Sequence, residues 1–148
     1  MREIDSDKMH PSVNKLLSYA TSAEKVEREY EKYMASPNLK LYGKAAADEL
    51  FACIGIALLE EGNCEIRHIA VLPEQREENI ASGMIDAICR LYHPDQIFAE
   101  TDRQAVGFYR NYGFSIASLG EKYPGVERFR CVYKVEFKEC LYKRKRFE

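Results

Sequence analysis

The stretch that most constrains the fold is residues 65–84, EIRHIAVLPEQREENIASGM. Its first half alternates, with Ile66, His68 and Ala70 on one side and Arg67, Ile69 and Val71 on the other, the two-residue period of a pleated strand. Pro73 must end that strand, because it has no amide proton for a ladder and fixes its own φ. A polar turn follows, and then Ile80, Met84, Ile88 and Leu91 recur at helical spacing. A helix that opens directly after a buried strand presents unpaired backbone amides and the positive end of its dipole. Such a corner suits an anion, most commonly a phosphate group.

The rest of the pattern builds an α/β fold around this corner. Residues 11–34 read as one helix, opened by Pro11 and carrying Leu16, Leu17, Ala20, Ala23, Tyr30 and Tyr33. Ser36-Pro37-Asn38 ends it. Residues 39–42 read as a short strand, 43–49 as a polar, alanine-rich turn and 50–59 as a buried strand. Glu60-Glu61-Gly62-Asn63 has reversal chemistry, which makes the strands on either side antiparallel neighbours. The helix beginning near Arg76 stops at His93-Pro94-Asp95, and residues 96–100 form a strand. This strand–helix–strand order is one βαβ unit with two parallel strands. Thr101 and Gln104 have capping-box spacing for a further helix, which carries Ala105, Phe108, Tyr109 and Tyr112 and is closed by Gly113. Residues 114–119 and 126–137 read as two closing strands around a 120–125 loop. The expected fold is therefore α/β (α+β): a mixed, mostly antiparallel central sheet with one parallel βαβ unit and flanking helices.

Composition limits the function classes. The 148 residues suit a single domain over 1–148, and 46% hydrophobic content is ordinary for a chain with a packed core. A formal net charge of −2 argues against a nucleic-acid partner held by bulk attraction. No apolar run approaches the ~20 residues of a membrane span. The first residues, MREIDSDKMH, contain no apolar export segment, which gives a cytoplasmic expectation. Five widely spaced cysteines without a C-x-x-C pair point to reduced thiols and to no metal site. A homodimer is allowed. The basic end, Lys143-Arg144-Lys145-Arg146, reads as a solvated terminus.

Two segments bear a family likeness. The first is Ile69-Ala70-Val71-Leu72-Pro73-Glu74-Gln75-Arg76-Glu77-Glu78-Asn79-Ile80-Ala81. The second is Ala105-Val106-Gly107-Phe108-Tyr109-Arg110-Asn111-Tyr112-Gly113-Phe114. Together, in this order and with a strand between them, they resemble the GNAT superfamily of acyl-CoA-dependent N-acyltransferases. The first is similar to its R-x-x-G-x-G/A pyrophosphate loop and the second to its A-x-x-F-Y-x-x-x-G-F helix-to-strand segment. The resemblance implies acetyl-CoA as acyl donor, with no metal. It also implies contacts to that cofactor from Ile69, Ala70, Val71, Arg76, Glu77, Glu78, Asn79, Ile80, Ala81 and Ser82. The backbone amides from Asn79 to Ser82 would carry the pyrophosphate, and Ile69 and Val71 would line the pantetheine arm.

Departures from the pattern qualify the site. Asn79 stands where the family usually has its first glycine, and asparagine is the next most tolerant of left-handed φ. Glu77 and Glu78 put negative charge beside an anion, so a weakened cofactor site is expected. By resemblance Tyr109 is the general acid for the departing thiolate; a phenol near pKa ~10 can protonate a thiolate near ~8.5. Glu100, at the C-terminal end of a parallel strand, is the candidate base, with Glu65 and His68 as alternatives. His68 also has a plain structural reading, as do the cysteines, which behave as small hydrophobes in apolar strands. The implied activity is transfer of acetyl from acetyl-CoA to a primary amine of a small molecule or peptide, by direct attack in a ternary complex. The alternative is a catalytically weak or inactive acyl-CoA-binding regulatory or interaction module, since fold alone does not establish turnover.

Overall fold

A computed structural model of the chain describes residues 1–76 and 79–136. Glu77, Glu78, Phe137, Cys140 and the basic tail lie outside the described residues, together with the expectations placed on them. The elements in order are β1 (Arg2–Glu3), α1 (Pro11–Ala20), α2 (Val26–Ala35), β2 (Leu39–Ala46), β3 (Glu49–Leu58) and β4 (Asn63–Val71). They continue with α3 (Ile80–Tyr92), β5 (Gln96–Asp102), α4 (Val106–Tyr112), β6 (Ser115–Tyr123) and β7 (Val126–Lys134). The strand order is β1-β2-β3-β4-β5-β7-β6. Among the described residues this is a mixed, mostly antiparallel sheet with helices, in which β4 and β5, joined by α3, are the parallel pair. That is the expected fold class. The described residues form two compact units: one from 1–58 and 66–88, the other from 59–65 and 89–136.

In the first unit, β2 and β3 pair antiparallel, with Ala46 opposite Glu49. The reversal takes only Ala47 and Asp48, both left-handed at φ 49° and 69°, the geometry that matches strand twist. The turn expected over 43–49 is therefore mostly strand, and β1, which sequence patterning did not reveal, pairs with β2. The helix expected over 11–34 is two helices. Thr21 is extended at φ −148° and ψ 169°, its amide donates to the Leu17 carbonyl, and a single 3-10 turn, Ala23–Lys25, leads into α2. Threonine and serine favour such breaks because their hydroxyls compete for backbone groups. Val13, Leu16, Leu17, Val26, Tyr30 and Tyr33 from the two helices pack with Leu41, Leu50, Cys53 and Ala70 from the strands. Each large side chain of that kind contributes about 1.5–3 kcal/mol by leaving water.

In the second unit, β7 lies antiparallel to both β5 and β6. The Asp95 amide donates to the Gly62 carbonyl at 2.8 Å, tying together the starts of β4 and β5. β6 runs through Gly120 to Tyr123, so the reversal expected at 120–125 narrows to Pro124 and Gly125. The helix expected from Thr101 starts later, at Val106, because Thr101 is still paired with Phe129 in the ladder. Asp102 takes over the opening role, its Oδ1 accepting the Ala105 amide at 3.0 Å. Ile97, Ala99, Val106, Tyr109, Phe114 and Cys131 are buried here.

Candidate functional site

The corner after β4 lies wholly in the first unit. Burial along β4 confirms the alternation, with Ile66, His68 and Ala70 buried, Arg67 exposed and Ile69 half-buried. Val71, at the strand end, is also buried. The Leu72 amide still reaches the Phe51 carbonyl of β3 at 2.9 Å, and Pro73–Gln75 then form a single 3-10 turn. Arg76 folds back over that turn, its Nε donating to the Val71 carbonyl at 2.9 Å. Its guanidinium carbon lies 5.3 Å from the ring centroid of Tyr19, at the end of α1. The helix expected to begin near Arg76 begins instead at Ile80. Asn79 precedes it at φ 58°, in the left-handed region, and its carbonyl accepts the Gly83 amide at 3.0 Å. The position thus requires the conformation that glycine adopts freely and asparagine tolerates.

Beyond Asn79, the amides of Ile80, Ala81 and Ser82 form the first turn of α3, where an α-helix offers no internal acceptor. No acidic residue stands in that first turn. The donor set is therefore chemically suited to a diphosphate: backbone amides, a dipole end and an anchored guanidinium. Ile69, Ala70, Val71, Arg76, Asn79, Ile80, Ala81 and Ser82 all lie in the first unit.

Glu100 and Tyr109 belong to the second unit. Tyr109 is 4% exposed in α4, edge-on to Phe108 at 5.2 Å and to Phe114 at 5.1 Å between ring centroids. Gly113, at φ 126°, closes α4 and lets the Phe114 amide reach back to the Tyr109 carbonyl at 3.0 Å. Burial raises the phenol above its ordinary pKa, with a smaller contribution from Cys131. Tyr109 therefore keeps its proton across the neutral range. Glu100 pairs with Lys122 at 3.0 Å and Arg128 at 3.3 Å. The Lys122 hydrogen bond, chiefly, holds its carboxyl below the ordinary range; burial opposes it, and the charges of Lys122 and Arg128 add to the lowering. Those partners favour the carboxylate form and reduce its basicity.

His68 has a partner of its own. Tyr33 Oη lies 2.6 Å from its Nδ1, and both side chains are buried. Burial lowers the imidazole pKa; Glu29 works the other way, and Arg67 and Lys32 add to the lowering. Cys53 and Cys64 are buried thiols pushed up to about 12, chiefly by burial, which leaves them protonated and poor nucleophiles. Among the described residues, no group of three or more His, Cys, Asp or Glu is placed to hold a metal. Nor is any helix there long and apolar enough to cross a membrane. The Tyr19 and Tyr33 contacts escaped sequence reasoning, because each joins elements far apart in the chain.

The Acetyltransferase (GNAT) domain family profile matches residues 11–125. The chain belongs to this family of GNAT acetyltransferase domains. No curated protein sequence matches it. Among solved structures, a GNAT-family protein of Desulfovibrio desulfuricans aligns at a TM-score of 0.76 and 19% identity, covering 91% of this chain and 98% of that one. An aminoglycoside 6'-N-acetyltransferase in complex with coenzyme A aligns at 0.73 and 16% identity, covering 90% and 97%. A GNAT-family acetyltransferase of Elizabethkingia anophelis with acetyl-CoA bound aligns at 0.67 and 15% identity, covering 90% and 96%. At these identities the likeness is one of fold.

Proposed function

We propose that this chain transfers an acetyl group from acetyl-CoA to a primary amine of a small molecule or peptide, by direct attack in a ternary complex in the cytoplasm. The observation that carries the reading is the corner after β4, where Arg76 is anchored on Val71, Asn79 is left-handed and the first-turn amides of α3 follow. A diphosphate there would meet backbone donors already in place, so little ordering is required on binding. Family membership and two fold neighbours that hold coenzyme A or acetyl-CoA support the choice of donor.

In the reaction the amine nitrogen attacks the thioester carbon, the C–S bond breaks, the acetyl group stays on nitrogen, and the nitrogen's extra proton ends on the released sulfur. The sulfur leaves as thiolate, and Tyr109 donates toward it. Because burial raises the phenol pKa, full proton transfer from Tyr109 is uphill, and its main contribution is a hydrogen bond to the developing negative charge. The ammonium form of the acceptor must lose a proton before attack. Glu100 is the proposed recipient, although its pairing with Lys122 and Arg128 makes it a weak one. Those ion pairs and the burial of Tyr109 also favour a second reading, a module that binds acyl-CoA with little turnover.

Titration with coenzyme A in a thermal-melt assay tests the shared premise. Ligand at 100 times its Kd should stabilise the protein by about 2.7 kcal/mol. An unchanged melt at millimolar coenzyme A would contradict both readings.

A further inference from the structure

Arg76 is fixed from two sides. Its Nε donates to the Val71 carbonyl at 2.9 Å, and its guanidinium carbon lies over the Tyr19 ring, 5.3 Å from the centroid. Tyr19 is 47% exposed, whereas Tyr30 and Tyr33 in the same unit are buried. Core packing therefore explains those two tyrosines but not the placement of Tyr19. The Nε bond and the ring contact together restrict where the guanidinium can go. Neither contact uses Nη1 or Nη2, the edge with which arginine pairs two phosphate oxygens. An exposed arginine otherwise samples many rotamers, and binding an anion would have to order it.

We propose that Tyr19 is a positioning residue for donor binding: its ring holds the Arg76 guanidinium so that Nη1 and Nη2 meet the pyrophosphate of acetyl-CoA. This rests on the reading that the corner after β4 takes that pyrophosphate. It makes the end of α1 part of the donor site, although α1 is remote from the loop in sequence.

The test is calorimetric titration of the full chain with coenzyme A, in wild type, Tyr19→Leu, Tyr19→Phe, Arg76→Ala and the Tyr19→Leu/Arg76→Ala double variant. Tyr19→Leu should raise Kd roughly 2- to 5-fold, the size of an exposed cation–π contact. Tyr19→Phe keeps the ring face and should restore wild-type affinity. In the Arg76→Ala background Tyr19→Leu should have no further effect, because a residue that acts through Arg76 cannot act without it. Tyr19→Gln serves as a second ring deletion should leucine disturb the fold. An equal penalty in both arginine backgrounds, no penalty at all, or a Phe variant as weak as Leu overturns the proposal. Normal affinity in Arg76→Ala overturns it while leaving coenzyme A binding established. No binding by wild type overturns it together with the functional reading beneath it.

Discussion

Gly55→Ala gives a sharp test of the packing beneath the first unit. Gly55 lies in β3, opposite Leu41 of β2. A Cβ added there would sit 1.9 Å from Tyr33 Oη, 2.4 Å from Cζ and 2.9 Å from Cε1. These distances are too short for contact, so the ring must move. Tyr33 is only 5% exposed and its hydroxyl holds His68 Nδ1 at 2.6 Å, so the movement also breaks a buried hydrogen bond. Overpacking costs about 1–3 kcal/mol. Leaving a buried polar group unpaired adds about 1–3 kcal/mol. The sum of roughly 2–6 kcal/mol is a large part of the 5–15 kcal/mol that holds a typical domain folded. Urea unfolding should show a loss of at least ~2 kcal/mol, and the same substitution made on Tyr33→Leu should cost far less. A loss below ~1 kcal/mol in the wild-type background would refute the reasoning.

Three further outcomes follow from the site. Asn79→Gly removes a side chain from a left-handed position ahead of α3, so coenzyme A should bind more tightly with stability within ~0.5 kcal/mol of wild type; weaker binding by a folded variant, read calorimetrically, would mean that Asn79 supplies a contact of its own. His68 is held neutral by burial, so its contribution is fully present above the ordinary value of 6.5 and is lost as pH falls from there toward its lower folded value. The fall in urea midpoint between pH 7.5 and 5 should accordingly be smaller in His68→Gln than in wild type. Tyr109→Phe should lower kcat by roughly 10²–10³-fold with KM for acetyl-CoA nearly level, and stability should change by less than ~1 kcal/mol. Because burial raises the Tyr109 pKa, wild type should show no alkaline loss of rate from this phenol below pH ~10; full activity in the Phe variant would leave Tyr109 as packing alone.

What could be read from sequence was set by short-range physics. The alternation in β4, the block at Pro73 and the periodicity of α3 depend on neighbouring residues, and they located the corner before any contact was known. Boundaries went wrong where a polar side chain had two options. Thr21 broke a continuous helix, and Asp102, not Thr101, accepted the amide that opens the way to α4. The left-handed turn at Ala47 and Asp48 had no glycine to announce it, so β2 looked shorter than it is. Environment was the least legible. Glu100 could be placed at a strand end, but its two cations arrive from β6 and β7. Likewise, Tyr109 could be matched to a pattern, while its burial between Phe108 and Phe114 depends on how α4 closes at Gly113.

Acetyl transfer itself is the central claim, and thiol release measures it most directly. The protein is mixed with acetyl-CoA and a panel of primary amines, aminoglycosides and peptide N-termini included, while free coenzyme A is followed by a thiol reagent and products are weighed by mass spectrometry. The account predicts amine-dependent release matched one for one by acetylated amine, saturating in both substrates, and collapsing in Tyr109→Phe. Saturable coenzyme A binding with no release above the amine-free rate on any acceptor would contradict it and leave the chain as an acyl-CoA-binding module.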